Sequence, residues 1–88
     1  MSTVETPSRL FEEIAELFSS EPSRQEVLEF KPSEAAVQRA SELLDLNRQD
    51  RLDDGLRREL DQYEQAELLM RLVKARIRAD QVHDEGKS

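Results

Sequence analysis

The residues best placed to do chemistry lie in the segment 45–56, between two predicted helices. Its first, third, fifth and ninth positions carry oxygen ligands, as in the calcium loop of an EF-hand. The sixth position, normally glycine, is Asp50, and the twelfth, normally a bidentate glutamate, is Leu56. Because the turn residue and the strongest ligand are both missing, we interpret this segment as a polar turn and not as a calcium site.

The other polar candidates do not form a catalytic or metal-binding set. His83 is the only histidine, and it lies in a polar C-terminal segment of a chain without cysteine. Gly55 and Gly86 are the only glycines, which excludes a glycine-rich phosphate loop. Five glutamates could gather as a di-metal site, but no Glu-x-x-His motif accompanies them: Glu12, Glu13, Glu16, Glu64 and Glu67. We therefore predict a non-enzymatic protein with no catalytic residues, no metal and no cofactor.

The composition favours one small folded domain. Leu, Ile, Val and Phe make up 22 of the 88 residues, enough for a thin core. The net charge of −7 argues against a nucleic-acid partner, because phosphates repel an acidic chain. The absence of cysteine suits a reducing compartment, and no apolar run has the length of a signal sequence core or a membrane span. We expect a cytoplasmic protein without a membrane partner.

Apolar residues at helical spacing predict an all-α fold in one domain over residues 1–80. The predicted helices are a short N-terminal helix, a helical turn, and an antiparallel hairpin whose second arm is long, at about 7–19, 23–30, 34–47 and 54–80. The expected N-caps are Thr6 followed by Pro7, Ser23 in a capping box with Glu26, Ser33 and Asp53. Residues 81–88 are expected to form a disordered tail.

The long C-terminal helix changes its apolar face halfway along. In its first half the apolar stripe is Leu56, Leu60 and Tyr63, and its continuation would meet charged residues at 67, 74 and 78. The apolar residues of the second half cover an arc of roughly 200°, centred more than about 100° around the helix from the first stripe. They are Leu68, Leu69, Met70, Leu72, Val73 and Ile77. Such a band needs cover from two sides, so we predict that these six residues bind a partner chain in an oligomeric bundle. The alternative is a monomeric three-helix bundle that buries the whole band.

Charge divides along the same helix. Residues 53–67 carry six acidic side chains against two arginines, and residues 71–78 carry four basic side chains and no acidic one. Dipole complementarity with pairs such as Glu67 and Arg71 explains this simply. A functional alternative is a basic strip that steers an acidic partner surface.

The stretch from about Leu28 to Arg78 resembles a group of small bacterial helical proteins, mostly uncharacterised. The pattern of this group is Phe-x-Pro-Ser, then Leu-Leu-x-x-Asn at a helix end, then a charged helix that closes on Lys-Ala-Arg. The residues that match are Phe30, Pro32, Ser33, Leu43, Leu44, Asn47, Glu59, Leu60, Tyr63, Glu64, Glu67, Leu69, Leu72, Lys74, Ala75 and Arg76. The chain departs from the pattern at Asp50 and at 53–56, where relatives place glycine and Thr/Ser-Pro-Glu-Glu.

The resemblance implies an antitoxin-like or accessory subunit, because genes for HNH-type nucleases or toxin-like proteins often lie beside those of the group. Such a subunit would mask a surface of its partner protein. We therefore predict a protein–protein interaction module, and the alternative is a homodimeric helical bundle with a structural or regulatory role. The partner's identity, and whether the first helix packs in its own chain or is swapped between chains, stay open.

Overall fold

A computed structural model describes residues 8–86, and the side chains of residues 8–82. Over that range the chain forms four helices and no strand. They are α1 (Arg9–Ser19), α2 (Arg24–Glu29), α3 (Glu34–Arg48) and α4 (Asp54–Gly86). The all-helical class predicted from periodicity is confirmed, with a long C-terminal helix. None of the helices in the described part of the chain combines the length and the hydrophobicity that a membrane span requires.

Side-chain caps set three of the helix starts, as predicted. Ser23 accepts a hydrogen bond from the Glu26 amide while the Glu26 carboxylate accepts one from the Ser23 amide, which completes the capping box. The hydroxyl of Ser33 caps α3. Asp53 Oδ1 accepts from the amide of Leu56 at 2.8 Å and caps α4. Short polar side chains in front of a helical run therefore located these boundaries correctly.

The two ends of the described chain differ from the prediction. The cap of α1 is Ser8 and not Thr6, because the Ser8 hydroxyl accepts from the amide of Phe11 at 3.2 Å. Thr6 and Pro7 lie outside the described residues, as do residues 87 and 88. At the other end α4 continues to Gly86 and not to about Asp80, so residues 81–86 are helical where a tail was expected. No proline or glycine interrupts residues 81–85, and polar composition alone does not end a helix.

The core forms where α1 and α2 pack against the second half of α4. Its buried members are Leu10, Ile14, Val27, Ala66 and Met70. Half-buried apolar side chains surround them: Phe11, Leu17, Phe30, Tyr63, Val73 and Ile77. Ala66 is fully buried, with 0% of its surface exposed, so the α4 backbone lies close to its neighbours at this point.

Helix α3 lies against α4 through small residues. Ala36, Ala40 and Leu43 are buried on α3, and Leu60 is buried on α4. Beside them the Arg39 guanidinium donates to both carboxylate oxygens of Glu59, at 2.7 and 2.9 Å. This bidentate pair raises the pKa of Arg39 and lowers the pKa of Glu59, chiefly through these hydrogen bonds.

Ala66 is a sensitive test of this packing. Ala66→Leu is expected to lower the free energy of unfolding by about 1–3 kcal/mol, because the added methyl groups have no space. In a domain of this size the melting temperature should fall by roughly 4–8 °C for each kcal/mol. Ala35→Leu, at an exposed position of α3, is the matched control and should change little. Equal melting temperatures for the two variants would contradict the close contact at Ala66.

Candidate protein-binding surface

The six predicted partner-binding residues of α4 fall on two sides of the helix. Met70 is buried, and Val73 and Ile77 are half-buried against the core of the chain itself. Leu68, Leu69 and Leu72 are exposed, at 52%, 44% and 60% of their surface. The structure therefore brings the first three together with α1 and α2, and leaves the three leucines uncovered by the described residues.

The exposed leucines form one patch because of their spacing. Leu68 and Leu72 are four residues apart, and Leu69 and Leu72 are three apart, so all three are neighbours on the helix surface. At about 100° per residue the centre of this patch lies roughly 150° around α4 from the buried stripe. We call Leu68, Leu69 and Leu72 the outer leucine patch.

Two residues of the outer leucine patch, Leu68 and Leu72, belong to a longer row that the sequence reasoning missed. Six residues at alternating spacings of three and four are all exposed: Gln65, Leu68, Leu72, Ala75, Ala79 and Val82. This spacing is the heptad pattern of a coiled-coil seam. The signal was available in the sequence, but two of the positions are alanine and arginines stand between them. We call these six residues the outer seam.

Ala66, which the sequence reasoning placed in neither apolar stripe, is buried between the two stripes of α4. The inner stripe does not jump near Glu67; it shifts gradually through Ala66 and Met70. Lys74, which the continued stripe was expected to meet, is half-buried, and its ammonium donates to the Phe30 carbonyl oxygen at 2.7 Å. The bond satisfies a carbonyl at the C-terminal end of α2 and places the aliphatic stem of the lysine against the core.

Charged residues flank the outer seam unevenly. Arg71 pairs with Glu67 at 2.7 Å, and Arg76 lies 3.7 Å from Asp80, both within α4. The predicted pair of Glu67 with Arg71 is thus confirmed. Glu64 and Arg78 have no ion-pair partner in the described part of the chain. These two residues stand on the same flank of the seam, one in the acidic half of α4 and the other in the basic half.

A cavity of about 230 Å³ opens on the inner side of α4. Its lining is mostly apolar, with three charged residues: Leu10, Phe30, Pro32, Glu67, Met70, Arg71 and Lys74. The volume is below the 300–1,000 Å³ usual for small-molecule sites. The two cations are already engaged, Arg71 with Glu67 and Lys74 with Phe30, so the cavity offers few polar groups for a ligand.

The acidic residues of the EF-hand-like segment form contacts at the end of α3 and at the start of α4. Asp45 pairs with Arg48 at 2.8 Å, and Asp53 caps α4. Asp50, at the position where glycine is usual, has a φ of 57°, a left-handed conformation that aspartate tolerates. Among the described side chains no group of three or more His, Asp or Glu is arranged to hold a metal ion. The side chain of His83 lies outside the described residues.

A carboxylate on α1 fixes the start of α3. Glu13 accepts hydrogen bonds from the amide of Ser33 at 2.8 Å and from the Ser33 hydroxyl, and Arg9 approaches it at 3.3 Å. Burial alone would raise the pKa of Glu13, but the bonds from Ser33 and the charge of Arg9 hold that pKa below its ordinary value. This contact connects α1 to α3, which both pack on the inner side of α4.

No protein-family model matches the chain, and neither a curated protein nor a solved structure gives a match. The antitoxin-like role therefore stays a prediction from the residue pattern quoted above.

Glu13 predicts a specific pH dependence. Because its pKa is lower in the folded chain than its ordinary value of 4.5, it stabilises the fold above that pH and ceases to do so as the pH falls through the folded pKa. Glu13→Gln should lower the free energy of unfolding by about 1–2 kcal/mol at neutral pH. The loss should shrink below about pH 4.5, as followed by urea unfolding at several pH values. Glu12 is exposed beside Glu13 on α1, so Glu12→Gln is the control. An equal loss of stability in the two variants would contradict the role of Glu13.

Proposed function

We propose that this chain is a non-enzymatic protein–protein interaction module that binds another chain through the outer leucine patch of α4. The observation that supports this is the exposure of three adjacent leucines on the side of α4 opposite the core. Scattered apolar residues on a surface are ordinary, but a contiguous patch bordered by charged residues is typical of an interaction site. Arg71 and Arg76 form such a border here.

The packing of the other helices supports a binding role for the outer side of α4, because their buried residues face its inner side. Helices α1, α2 and α3 all contact α4, and the buried residues of α4 lie on the inner stripe. Their buried apolar residues face that contact, whereas Phe18 on α1 and Val37 and Leu44 on α3 stay exposed. A partner that covers Leu68, Leu69 and Leu72 therefore has to come from outside the described part of the chain.

We further propose that α3 and α4 form an antiparallel hairpin, which gives the patch a stiff base. The five residues 49–53 separate the two helices, and the bond from Arg39 to Glu59 joins them beyond the turn. Short connections of this kind favour antiparallel neighbours. An antitoxin-like or accessory role in the cytoplasm, as the resemblance implies, would use the patch to mask a toxin-like or nuclease partner.

The experiment is to substitute one leucine of the patch and to measure association. The tagged chain is co-expressed with the product of the neighbouring gene and pulled down, and self-association is followed by sedimentation. Leu69→Asp should weaken whichever association occurs by roughly 30-fold or more, as expected for a central interface residue. Circular dichroism should show unchanged helix content, because Leu69 is outside the core.

Leu44→Asp is the matched control, since Leu44 is a leucine of α3 with 41% of its surface exposed, close to the 44% of Leu69. It should leave association unchanged. If both variants retain every association of the unmodified chain, the outer leucine patch is not the binding surface and the proposed function is wrong.

A further inference from the structure

We infer that the chain covering the outer leucine patch is a second copy of this protein. The two α4 helices pair antiparallel along the part of the outer seam from Gln65 to Ala75, with residue 70 of one copy level with residue 70 of the other. The inference rests on the proposed function, because it names the occupant of the same surface. It follows from three properties of α4: the heptad spacing of the seam, the position of the three leucines in or beside it, and the distribution of charge along the helix.

The heptad spacing points to another helix as the occupant. Six exposed positions from Gln65 to Val82 follow the spacings three and four without a break. At 1.5 Å per residue they extend over roughly 26 Å, and they are exposed along their whole length. A repeat of 3.5 residues keeps one narrow seam facing a partner helix in a left-handed pair.

The leucines select the register. They are concentrated near residue 70, and the remaining seam positions are glutamine, alanine and valine. An antiparallel pair centred on residue 70 places Leu68 of each copy opposite Leu72 of the other. It also brings the two Leu69 side chains together beside the axis. All six large apolar side chains of the two patches are then covered at once.

The charge distribution selects the antiparallel direction. Within α4, residues 54–67 carry five acidic and two basic side chains, and residues 68–79 carry four basic and none acidic. Antiparallel pairing lays the acidic half of one helix beside the basic half of the other, whereas parallel pairing aligns like with like. It also brings Glu64 to Arg78 of the second copy on the same flank, and both lack an ion-pair partner within the described residues.

One repulsive contact, between the Arg71 side chains of the two copies, remains in this arrangement, and Glu67 offsets it. The two Arg71 side chains approach each other near the axis, but each is bonded to Glu67 of its own chain at 2.7 Å. A shift of the pairing by one heptad toward the N-terminus is worse, because it sets Leu68 against Gln65 and Leu72 against Asp61 of the second copy. A shift by one heptad toward the C-terminus is also worse, because it sets Arg71 against Arg78 of the second copy. The shift also replaces the contacts between Leu68 and Leu72 by contacts of leucine with alanine.

The chain contains no cysteine, so engineered cysteines report the pairing directly. In the inferred register Gln65 of one copy opposes Ala75 of the other. Gln65→Cys and Ala75→Cys chains, distinguished by a size tag, are mixed under reducing conditions, allowed to exchange and then oxidised. Disulfides should join the two different variants. Neither variant should cross-link to itself, since like positions are offset by about 15 Å along the axis and a disulfide needs Cα atoms about 4.4–6.8 Å apart.

The outcomes separate this inference from the proposed function. Cross-links within each single variant would show a parallel pair. A sedimenting dimer without the mixed cross-link would show another register or another surface. Either result overturns the inference. A chain that sediments as a monomer at all concentrations but binds a different protein through Leu69 overturns the inference and leaves the proposed function standing. A monomer without Leu69-dependent binding overturns both.

A charge exchange provides a second measurement at exposed positions. Arg78→Glu should weaken the dimer roughly threefold to tenfold, because two attractive pairs become repulsive. Glu64→Arg combined with Arg78→Glu should restore most of the affinity. Weakening in Arg78→Glu without any recovery in the double variant contradicts the proposed contact of Glu64 with Arg78.

Discussion

The arrangement of the chain depends on the close contact of α4 with α1 and α2 around Ala66 and Met70. Ala66 has no exposed surface, and its small side chain lets the helices approach where a larger residue would separate them. This contact also partly buries Val73 and Ile77 on the same side of α4. It therefore determines which apolar residues of α4 remain outside, and the candidate surface is a consequence of how the core is packed.

Polar bonds complete the contact where apolar residues are too few. Lys74 stands in line with the buried stripe, and its bond to the Phe30 carbonyl removes the cost of an unsatisfied group at the end of α2. Glu13 binds both the amide and the hydroxyl of Ser33, so the first turn of α3 is attached to α1. Arg39 and Glu59 perform the same task between α3 and α4. Small domains with thin cores benefit from such bonds, because each loss is a large share of their stability.

The sequence was sufficient for the parts of the fold that short-range rules govern. The caps at Ser23, Ser33 and Asp53 could be predicted because each is formed by a side chain and an amide three residues later. The start of α1 was missed because Thr6 and Ser8 are both good caps, and a pattern cannot choose between them. The end of α4 was missed because polar residues were taken as a tail, although nothing in residues 81–85 breaks a helix.

The division of the apolar band at 68–77 could not be predicted from periodicity alone. Periodicity showed that the arc was too wide for one neighbour, and the division between Met70 and Leu69 depends on where α1 docks. The outer seam, in contrast, could have been predicted, because its spacing is present in the sequence. It was missed because two of its six positions are alanine, which contributes little to a hydrophobic pattern. Alanine nonetheless has a structural role at 66, where its small side chain lets the core close. The basic segment in the middle of the longest helix of an acidic chain is the feature that makes the inferred antiparallel pair electrostatically complementary.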